Sequence, residues 1–244
     1  MIAFFTSSPT GPLDGARQVD GIDEKNQFLV NLKKYWKENS RCVIISAFPE
    51  DDAANDEMRG FFERTFNRRG LTTGIFEVWD DRTEDTSEEK LKSYDVVFLG
   101  VGHVPTQNEF FHEIGLPEKI KGFDGMIIGI SAGTMNSAEV VYAQPELPGE
   151  ATDPEYVRFL RGLGITKTNI LPHYQMVKDN YLDDRRLFED ITYGDSWNQR
   201  FLVLPDGSYL FSENGEETVY GEAYVISDGI LTKICEENET IKWA

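Results

Sequence analysis

The stretch Met126-Ile127-Ile128-Gly129-Ile130-Ser131-Ala132-Gly133 decides how this chain folds. An apolar run leads into the pattern Gly-x-Ser-x-Gly, and a helix is predicted from near Thr134. A strand that turns sharply into a helix is the setting of a nucleophile elbow, where glycines permit the turn and the serine hydroxyl is pushed out beyond the strand. We therefore interpret residues 125–130 as a strand and Ser131 as a candidate nucleophile. The alternative is a plain strand–helix turn made of small residues.

Strand and helix patterns alternate on the amino-terminal side of this turn. Apolar runs predict strands at residues 2–6, 42–48, 73–79 and 96–99. Helical spacing of apolar residues predicts helices at residues 23–38, 53–69, 87–93 and 107–114. This order is typical of an α/β fold with a mostly parallel sheet and helices on both faces. Ligands of such folds bind at the carboxyl ends of the strands, which is where the Ser131 turn lies.

In the last third of the chain, a series of shorter strands takes the place of the alternating strands and helices. They are predicted at residues 170–172, 201–204, 209–212, 218–220, 223–227 and 230–235. A helical stretch is predicted around residues 183–191, and Ser227-Asp228-Gly229 indicates a hairpin turn. We expect short antiparallel strands at the carboxyl terminus, and one domain over residues 1–244 because no repeat or linker interrupts the pattern.

Composition narrows the classes of function. The 244 residues carry a formal net charge of −19, which argues against a nucleic-acid surface because phosphate binding needs clustered Lys and Arg. No apolar run approaches the length of a membrane span, and the first residues lack signal-peptide features, so we expect a cytoplasmic protein that binds no membrane. Cys42 and Cys235 are predicted to be small buried residues, and no metal-ligand spacing is present.

A serine hydroxyl needs a base to take its proton, and the chain has three histidines. His173 follows an apolar strand and is the leading base, whereas His112 lies in a helix pattern and His103 in a glycine loop. The base needs a carboxylate to hold its tautomer, and Asp206 in the sequence Leu204-Pro205-Asp206-Gly207 is the leading choice. Pro-Asp-Gly is also a common turn sequence. The other candidate acids are Asp179 and Glu213.

The oxyanion formed by serine attack needs two preorganised donors. The first prediction is the N–H of Ala132, directly after the candidate nucleophile. The second is the N–H of Gly102 in the loop Gly100-Val101-Gly102-His103, which follows a buried strand. Glycines also occur here in ordinary tight turns, and the loop lacks the full dinucleotide fingerprint, so we predict no cofactor site.

The chain order Ser131, His173, Asp206 differs from that of α/β-hydrolases, in which the acid precedes the histidine. It resembles peptidase family S51, the group of dipeptidase E and cyanophycinase. Four segments carry the resemblance: the serine elbow, Pro172-His173-Tyr174, the turn around Asp206 and the loop 100–103. The loop departs from the family's Gly-Gly-Gly-Asn pattern at two positions, and residues 141–146 have no counterpart that we identify in dipeptidase E.

The resemblance implies a flavodoxin-like, class I glutamine amidotransferase-like fold. It also implies a serine peptidase that hydrolyses short peptides, with the aspartyl specificity of dipeptidase E and with no metal or organic cofactor. His103 is expected to touch the substrate, and Arg185 or Lys178 to face an aspartyl side chain. The alternative for both cations is a solvated helix surface. A homodimer is left open.

Two other functions stay open at this point. An amidase or esterase acting on another small acyl substrate would use the same three residues, with His103 and residues 144–146 reshaping the pocket. A non-catalytic, amidotransferase-like binding module is the third class, although such a module has no need of a serine, a histidine and an acid together.

Overall fold

A sheet of eight strands forms the centre of the computed structural model, which describes residues 1–10 and 21–243. In chain order the strands are β1 (Ile2–Thr6), β2 (Ser40–Ile45), β3 (Thr73–Trp79), β4 (Val96–Leu99), β5 (Met126–Ile130), β6 (Val140–Tyr142), β7 (Phe159–Arg161), β8 (Asn169–Leu171), β9 (Tyr181–Leu182), β10 (Arg185–Arg186), β11 (Arg200–Val203), β12 (Tyr209–Glu213), β13 (Glu216–Tyr220), β14 (Ala223–Ser227), β15 (Ile230–Cys235) and β16 (Thr240–Trp243). The α-helices are α1 (Phe28–Tyr35), α2 (Asp52–Arg68), α3 (Glu88–Lys92), α4 (Val104–Glu113), α5 (Leu116–Lys119), α6 (Ala132–Asn136), α7 (Tyr174–Val177) and α8 (Tyr193–Asp195). Two short 3-10 helices and one π-helix complete these elements; they are Lys25–Gln27, Ile120–Gly122 and Leu187–Thr192.

The central sheet has the strand order β16-β13-β12-β1-β5-β4-β2-β3. Strands β1, β5, β4, β2 and β3 run parallel, whereas β12, β13 and β16 add to the β1 edge in antiparallel pairs. The predicted α/β fold is therefore confirmed, with a mostly parallel sheet and antiparallel strands contributed by the last part of the chain. The carboxyl ends of the parallel strands meet at one edge, where β5 leads into the serine turn.

Side chains of the central strands alternate between two faces, and helices cover each face. Ile44, Phe98 and Ile128 pack among residues of α1 and α2 on one face. Their chain neighbours Ile45 and Leu99 pack among residues of α3, α4 and α5 on the other. All five side chains are fully buried. Strands buried on both faces need continuous apolar runs, which is why these segments were recognisable from the sequence.

A second sheet, with the order β15-β14-β11-β8, supplies the other half of the site. Strands β8 and β11 are parallel neighbours in which Leu171 pairs with Val203. The chain leaves β8 through Pro172 and leaves β11 through Leu204, so the segments that follow both strands emerge side by side. Leu204 N–H donates to the Leu171 carbonyl at 2.9 Å and extends the pairing by one residue.

The segment predicted as helical around residues 183–191 folds differently. Strands β9 and β10 form a tight hairpin whose turn residues, Asp183 and Asp184, have φ values of 52° and 62°. Two consecutive left-handed residues are incompatible with a right-handed helix, and Asp tolerates this conformation better than most residues. The helix prediction is therefore wrong for residues 183–186, and the helical part is the π-helix Leu187–Thr192.

Two further features bear on the sequence expectations. Cys42 and Cys235 are free and buried, as predicted. Burial raises the pKa of the Cys42 thiol far above its usual value, so this group stays protonated and acts as a core side chain. Across residues 1–10 and 21–243, the helices all fall short of the length and apolar character needed to cross a membrane.

Candidate active site

Ser131 lies at the turn between β5 and α6, and its backbone is strained. Its φ of 50° and ψ of −110° lie outside the regions that residues with side chains ordinarily adopt. Ser131 N–H donates to the Thr6 carbonyl at 3.0 Å, and Met135 N–H donates to the Ser131 carbonyl at 3.1 Å. The Ser131 hydroxyl does not cap the helix. A strained serine whose hydroxyl the turn leaves unused is what a nucleophile elbow requires.

Close backbone approach requires both glycines of the motif. A Cβ on Gly133 would lie 2.2 Å from the Leu99 carbonyl oxygen, and a Cβ on Gly129 would lie 3.0 Å from the Thr134 Cα. Because β4 and β5 are neighbours, Gly133 N–H reaches the Gly100 carbonyl at 3.1 Å. The spacing Gly-x-Ser-x-Gly is thus set by packing against β4 as well as by the turn itself.

His173 and Asp206 meet where the chain leaves β8 and β11. The His173 Nδ1 lies 2.7 Å from the Asp206 Oδ1, and the aspartate side chain is 2% exposed compared with 24% for the histidine. His173 has a left-handed φ of 59°, and its N–H donates to Ser7 Oγ at 3.1 Å. Asp206 N–H donates to Gln175 Oε1 at 2.9 Å. Because Nδ1 is engaged by the carboxylate, Nε2 is the ring nitrogen left for proton transfer.

The other two candidate acids lie away from this histidine. Asp179 is 87% exposed beside Lys178, and Glu213 accepts a hydrogen bond from the Tyr35 hydroxyl. Of the three acids considered from the sequence, Asp206 is the one that contacts His173.

Ser131 and His173 line one cavity of about 270 Å³. Its walls are mostly apolar, and the further polar side chains are Gln144, Glu146 and Asn180. Gln144 is held in place because its Nε2 donates to the Thr192 hydroxyl at 2.7 Å. Among the described side chains, no group of three or more His, Cys, Asp or Glu residues could hold a metal ion. The candidate nucleophile and base therefore face the same small space, although they come from different sheets.

The predicted oxyanion donors sit on segments that pack against each other. Ala132 is the first residue of α6, so its N–H has no acceptor within the helix. A Cβ on Gly102 would lie 2.5 Å from the Phe48 ring, so this position accepts only glycine. The Gly100 carbonyl accepts from Gln107 Nε2 at 2.8 Å, which holds the loop against α4. The assignment of Gly102 and Ala132 as donors stays a prediction.

The three residues predicted to contact the substrate lie outside the wall of the Ser131 cavity. His103 does not line the cavity; its Nδ1 bonds to the Thr106 hydroxyl and its Nε2 to Glu150, each at 2.8 Å. Arg185 is exposed on the β9–β10 hairpin and is not part of the cavity wall. Lys178 is 45% exposed beside Asp179 and also lies outside the wall. His103 thus contacts the segment that carries Glu146, while both cations face solvent.

Two contributors to the site were not found by sequence reasoning, and a third was predicted only as part of a segment that would reshape the pocket. Ser7 and Gln175 hold the backbone of His173 and Asp206, and neither belongs to a motif. Glu146 lines the cavity together with Gln144 and Pro145, the segment that departs from dipeptidase E and was expected to reshape the pocket of an amidase or esterase. Although the residue is exposed, the crowding of protein atoms around its carboxyl raises the Glu146 pKa to about 7, with the nearby Glu150 charge as the second cause.

Comparisons with known proteins agree with the fold and give the family. The sequence profile of peptidase family S51 matches residues 51–220. The crystal structure of a peptidase from an acI-B1 Actinobacterium superposes with a TM-score of 0.67 at 14% identity, covering 99% of this chain and 96% of that one. A provisionally named peptidase E protein from Listeria monocytogenes EGD-e gives a TM-score of 0.55 at 14% identity, covering 96% and 98%. No curated protein matches the sequence. Since the family profile covers more than half of the chain, this protein belongs to peptidase family S51 and is a serine peptidase.

Proposed function

We propose that this protein hydrolyses short peptides in the manner of dipeptidase E, with Ser131 as nucleophile, His173 as general base and Asp206 as the orienting acid. The observation that carries the proposal is the His173–Asp206 contact of 2.7 Å in a cavity that Ser131 also lines. The strained Ser131 backbone supports the role of that residue, because such strain persists where the surrounding structure imposes it, and it clusters at active sites.

The reaction follows the general chemistry of a serine–histidine–acid triad. Ser131 Oγ attacks the scissile carbonyl carbon while His173 Nε2 accepts the hydroxyl proton. The N–H groups of Ala132 and Gly102 donate to the resulting oxyanion. His173 then gives its proton to the leaving amine, the peptide C–N bond breaks, and an acyl-enzyme remains. Water, deprotonated by His173, then attacks the ester carbonyl, the bond to Ser131 Oγ breaks, and His173 Nε2 returns its proton to Ser131 Oγ as the acid is released.

The size of the cavity supports a short substrate. Its volume of about 270 Å³ lies below the range typical of pockets that hold drug-sized ligands. Apolar side chains such as Leu171, Met135 and Leu187 form much of the wall and would exclude water from the reacting bond. A space of this kind suits one or two residues of a peptide rather than an extended chain.

The aspartyl form of the activity stays a prediction. A cation opposite the aspartyl carboxylate would be needed to hold it, and neither Arg185 nor Lys178 lines the cavity.

The test is hydrolysis of a dipeptide panel in which Asp, Glu, Asn, Ala or Lys precedes Leu. Serine-dependent cleavage of any member, lost by about 10⁴-fold or more in Ser131→Ala, would support the proposal. Labelling of Ser131 by a fluorophosphonate without peptide cleavage would favour an amidase or esterase acting on another acyl group. Absence of both labelling and cleavage in a folded protein would favour a binding module and overturn the proposal.

A further inference from the structure

The wall of the Ser131 cavity carries a negative charge and, in the part of the chain that the structure describes, no positive side chain of Lys or Arg. Among the described residues that form this wall, Glu146 is the sole carboxylate, and His173 is the other ionisable group. A substrate group that enters beside Glu146 therefore meets a negative charge with no protein cation to balance it.

The Glu146 carboxylate is also left unused by the fold. Its own backbone N–H donates to Glu150 Oε2 at 2.8 Å, as does the N–H of Leu147 at 2.9 Å. The other Glu150 oxygen bonds to His103 Nε2, so the segment is tied to the loop before α4. Within residues 1–10 and 21–243, by contrast, the Glu146 side chain has neither an ion pair nor a hydrogen bond. The backbone is anchored while the carboxylate stays available to a ligand.

The electrostatics of this position favour an incoming cation. Crowding by protein atoms and the Glu150 charge both disfavour the ionised form of Glu146 and raise its pKa to about 7. A positive charge placed against the carboxylate would reverse that penalty, because an opposite charge at contact distance favours ionisation. The charged and titratable groups around Glu146 are Glu150 and Tyr156, and the His173 ring lines the same cavity. Arg158 lies over the Tyr156 ring, 5.2 Å from its centroid, and is not part of the cavity wall.

A second, larger cavity, which Phe48 lines, has a negatively charged wall as well. It measures about 960 Å³, and the Phe48 ring packs against Gly102. Among the described residues its wall holds six carboxylates, Glu50, Asp51, Asp80, Asp81, Glu109 and Glu113. Asp80 is ion-paired with Arg82 at 2.6 Å, and Lys119 donates to the wall residues Thr86 and Ile114, so part of this negative charge is balanced. With a chain net charge of −19, this cavity would attract cations rather than anions.

We propose that Glu146 determines specificity by binding a positively charged group of the substrate next to the scissile carbonyl. The group is an ammonium or guanidinium, supplied either by the free amino terminus or by a basic first side chain. This inference rests on the proposed function, and it replaces the aspartyl specificity of the resemblance with a cationic one. Glu146 accepts a charge-assisted hydrogen bond from the substrate and takes no part in proton transfer.

The experiment measures binding without turnover, so it does not depend on catalysis. Dissociation constants are measured by calorimetry on Ser131→Ala protein for Lys-Leu, Leu-Leu and Asp-Leu, and for N-acetyl-Lys-Leu and N-acetyl-Leu-Leu. The same series is run with Glu146→Gln added. The matched control is Glu155→Gln, an exposed glutamate of the same region that lies outside the cavity wall.

We expect the peptides with an accessible cation to bind about ten- to a hundredfold more tightly than those without it, with Asp-Leu the weakest unacetylated peptide. Glu146→Gln should remove this difference, whereas Glu155→Gln should retain it. If acetylation weakens Lys-Leu and Leu-Leu equally, the amino terminus is the recognised group. If N-acetyl-Lys-Leu keeps its affinity, the side chain is the recognised group.

Three results would overturn the inference: tightest binding of Asp-Leu, an unchanged order of affinities in Glu146→Gln, or no measurable binding of any cationic peptide. Turnover by the Ser131 enzyme is scored separately with the dipeptide panel. If the enzyme cleaves dipeptides but Glu146→Gln leaves the order of affinities unchanged, this inference is wrong and the proposed function stands. If cationic peptides bind selectively but neither cleavage nor serine labelling is seen, the proposed function is wrong and the binding role of Glu146 stands.

Discussion

The Ser131 elbow and the His173–Asp206 pair are built in different ways. The elbow is a local structure on the central sheet, where β5, a strained turn and α6 follow one another within a few residues. The pair comes from the second sheet, where two segments 33 residues apart meet because β8 and β11 are parallel neighbours. Short motifs in the sequence predicted the residues of both regions, whereas the contact between His173 and Asp206 depends on the pairing of β8 with β11. Substitutions in the two regions should therefore affect catalysis and stability to different extents.

The largest effect is expected at the base. His173→Ala removes the proton acceptor, and we expect kcat to fall by about 10⁴-fold or more. It also leaves the buried Asp206 carboxylate without its partner, so we expect a stability loss of about 1–3 kcal/mol with the fold retained. Steady-state kinetics with a cleaved dipeptide and a melting curve check this. His112→Ala is the matched control, because that exposed histidine contacts the Arg161 carbonyl and should leave kcat unchanged. Equal losses in the two variants would contradict the assignment.

Asp206→Asn should lower kcat by about 10⁴-fold with the fold intact. An amide in place of the carboxylate can turn its NH₂ toward His173 Nδ1 and hold the wrong tautomer, and it cannot stabilise the imidazolium that forms during attack. The measurement is kcat against pH, with Asp179→Asn as control because Asp179 is 87% exposed. A fall in Asp179→Asn with little change in Asp206→Asn would reassign the acid.

Gly133→Ala should damage the elbow through the fold rather than through the chemistry. The new Cβ would lie 2.2 Å from the Leu99 carbonyl oxygen, a backbone atom that β4 holds in place, so we expect a loss of about 3 kcal/mol in the free energy of unfolding. Denaturant unfolding measures this. Gly194→Ala is the control, because a Cβ there meets no atom within 4 Å. Unchanged stability of Gly133→Ala would show that β4 and the elbow are not packed as described.

Ser7→Ala tests the link between the two regions. Ser7 follows β1 of the central sheet, accepts the His173 N–H at 3.1 Å and donates to the Leu204 carbonyl at 3.2 Å. Loss of these bonds should lower kcat about tenfold by letting the His173 turn relax, with a stability loss of about 1 kcal/mol. Ser8→Ala is the control, since Ser8 bonds to Thr10 instead. An equal fall in kcat for both variants would argue against a positioning role for Ser7.

The smallest effect is a pH dependence of stability at Glu146. Its folded pKa of about 7 is above the value near 4.3 expected for an unfolded glutamate, so the folded state binds the extra proton between these values. Stability should therefore fall as pH rises from about 4.3 to about 7, and then stay level with respect to this group. Glu146→Gln removes the penalty, so its melting temperature should match wild type near pH 4 and exceed it by a few degrees above pH 7. A difference in melting temperature between Glu146→Gln and wild type that does not change with pH, or the same difference in Glu155→Gln, would contradict this.

Much of the fold and part of the site could be predicted because the relevant physics is local. Continuous apolar runs marked strands that are buried on both faces, such as Val96–Leu99. The bounds predicted for that strand and for the edge strand Thr73–Trp79 agree with the structure. The hairpin at Asp183 and Asp184 was missed because its alternation spans only two residues per strand. Strands β6, β7 and β16 were missed because they are short and partly exposed, whereas the equally short β4 and β8 are buried throughout and form recognisable apolar runs.

The sequence by itself determined the α/β class and the elbow, because glycine spacing and apolar runs act through sterics and burial over a few residues. It also supplied a short set of candidate bases and acids. Only the tertiary structure decided that Asp206 rather than Asp179 or Glu213 meets His173, since that contact depends on which strands pair. The tertiary structure likewise placed Glu146 in the cavity wall and left Arg185 on an exposed hairpin. The charge that faces a substrate is a property of segments brought together from distant parts of the chain, and no local pattern encodes it.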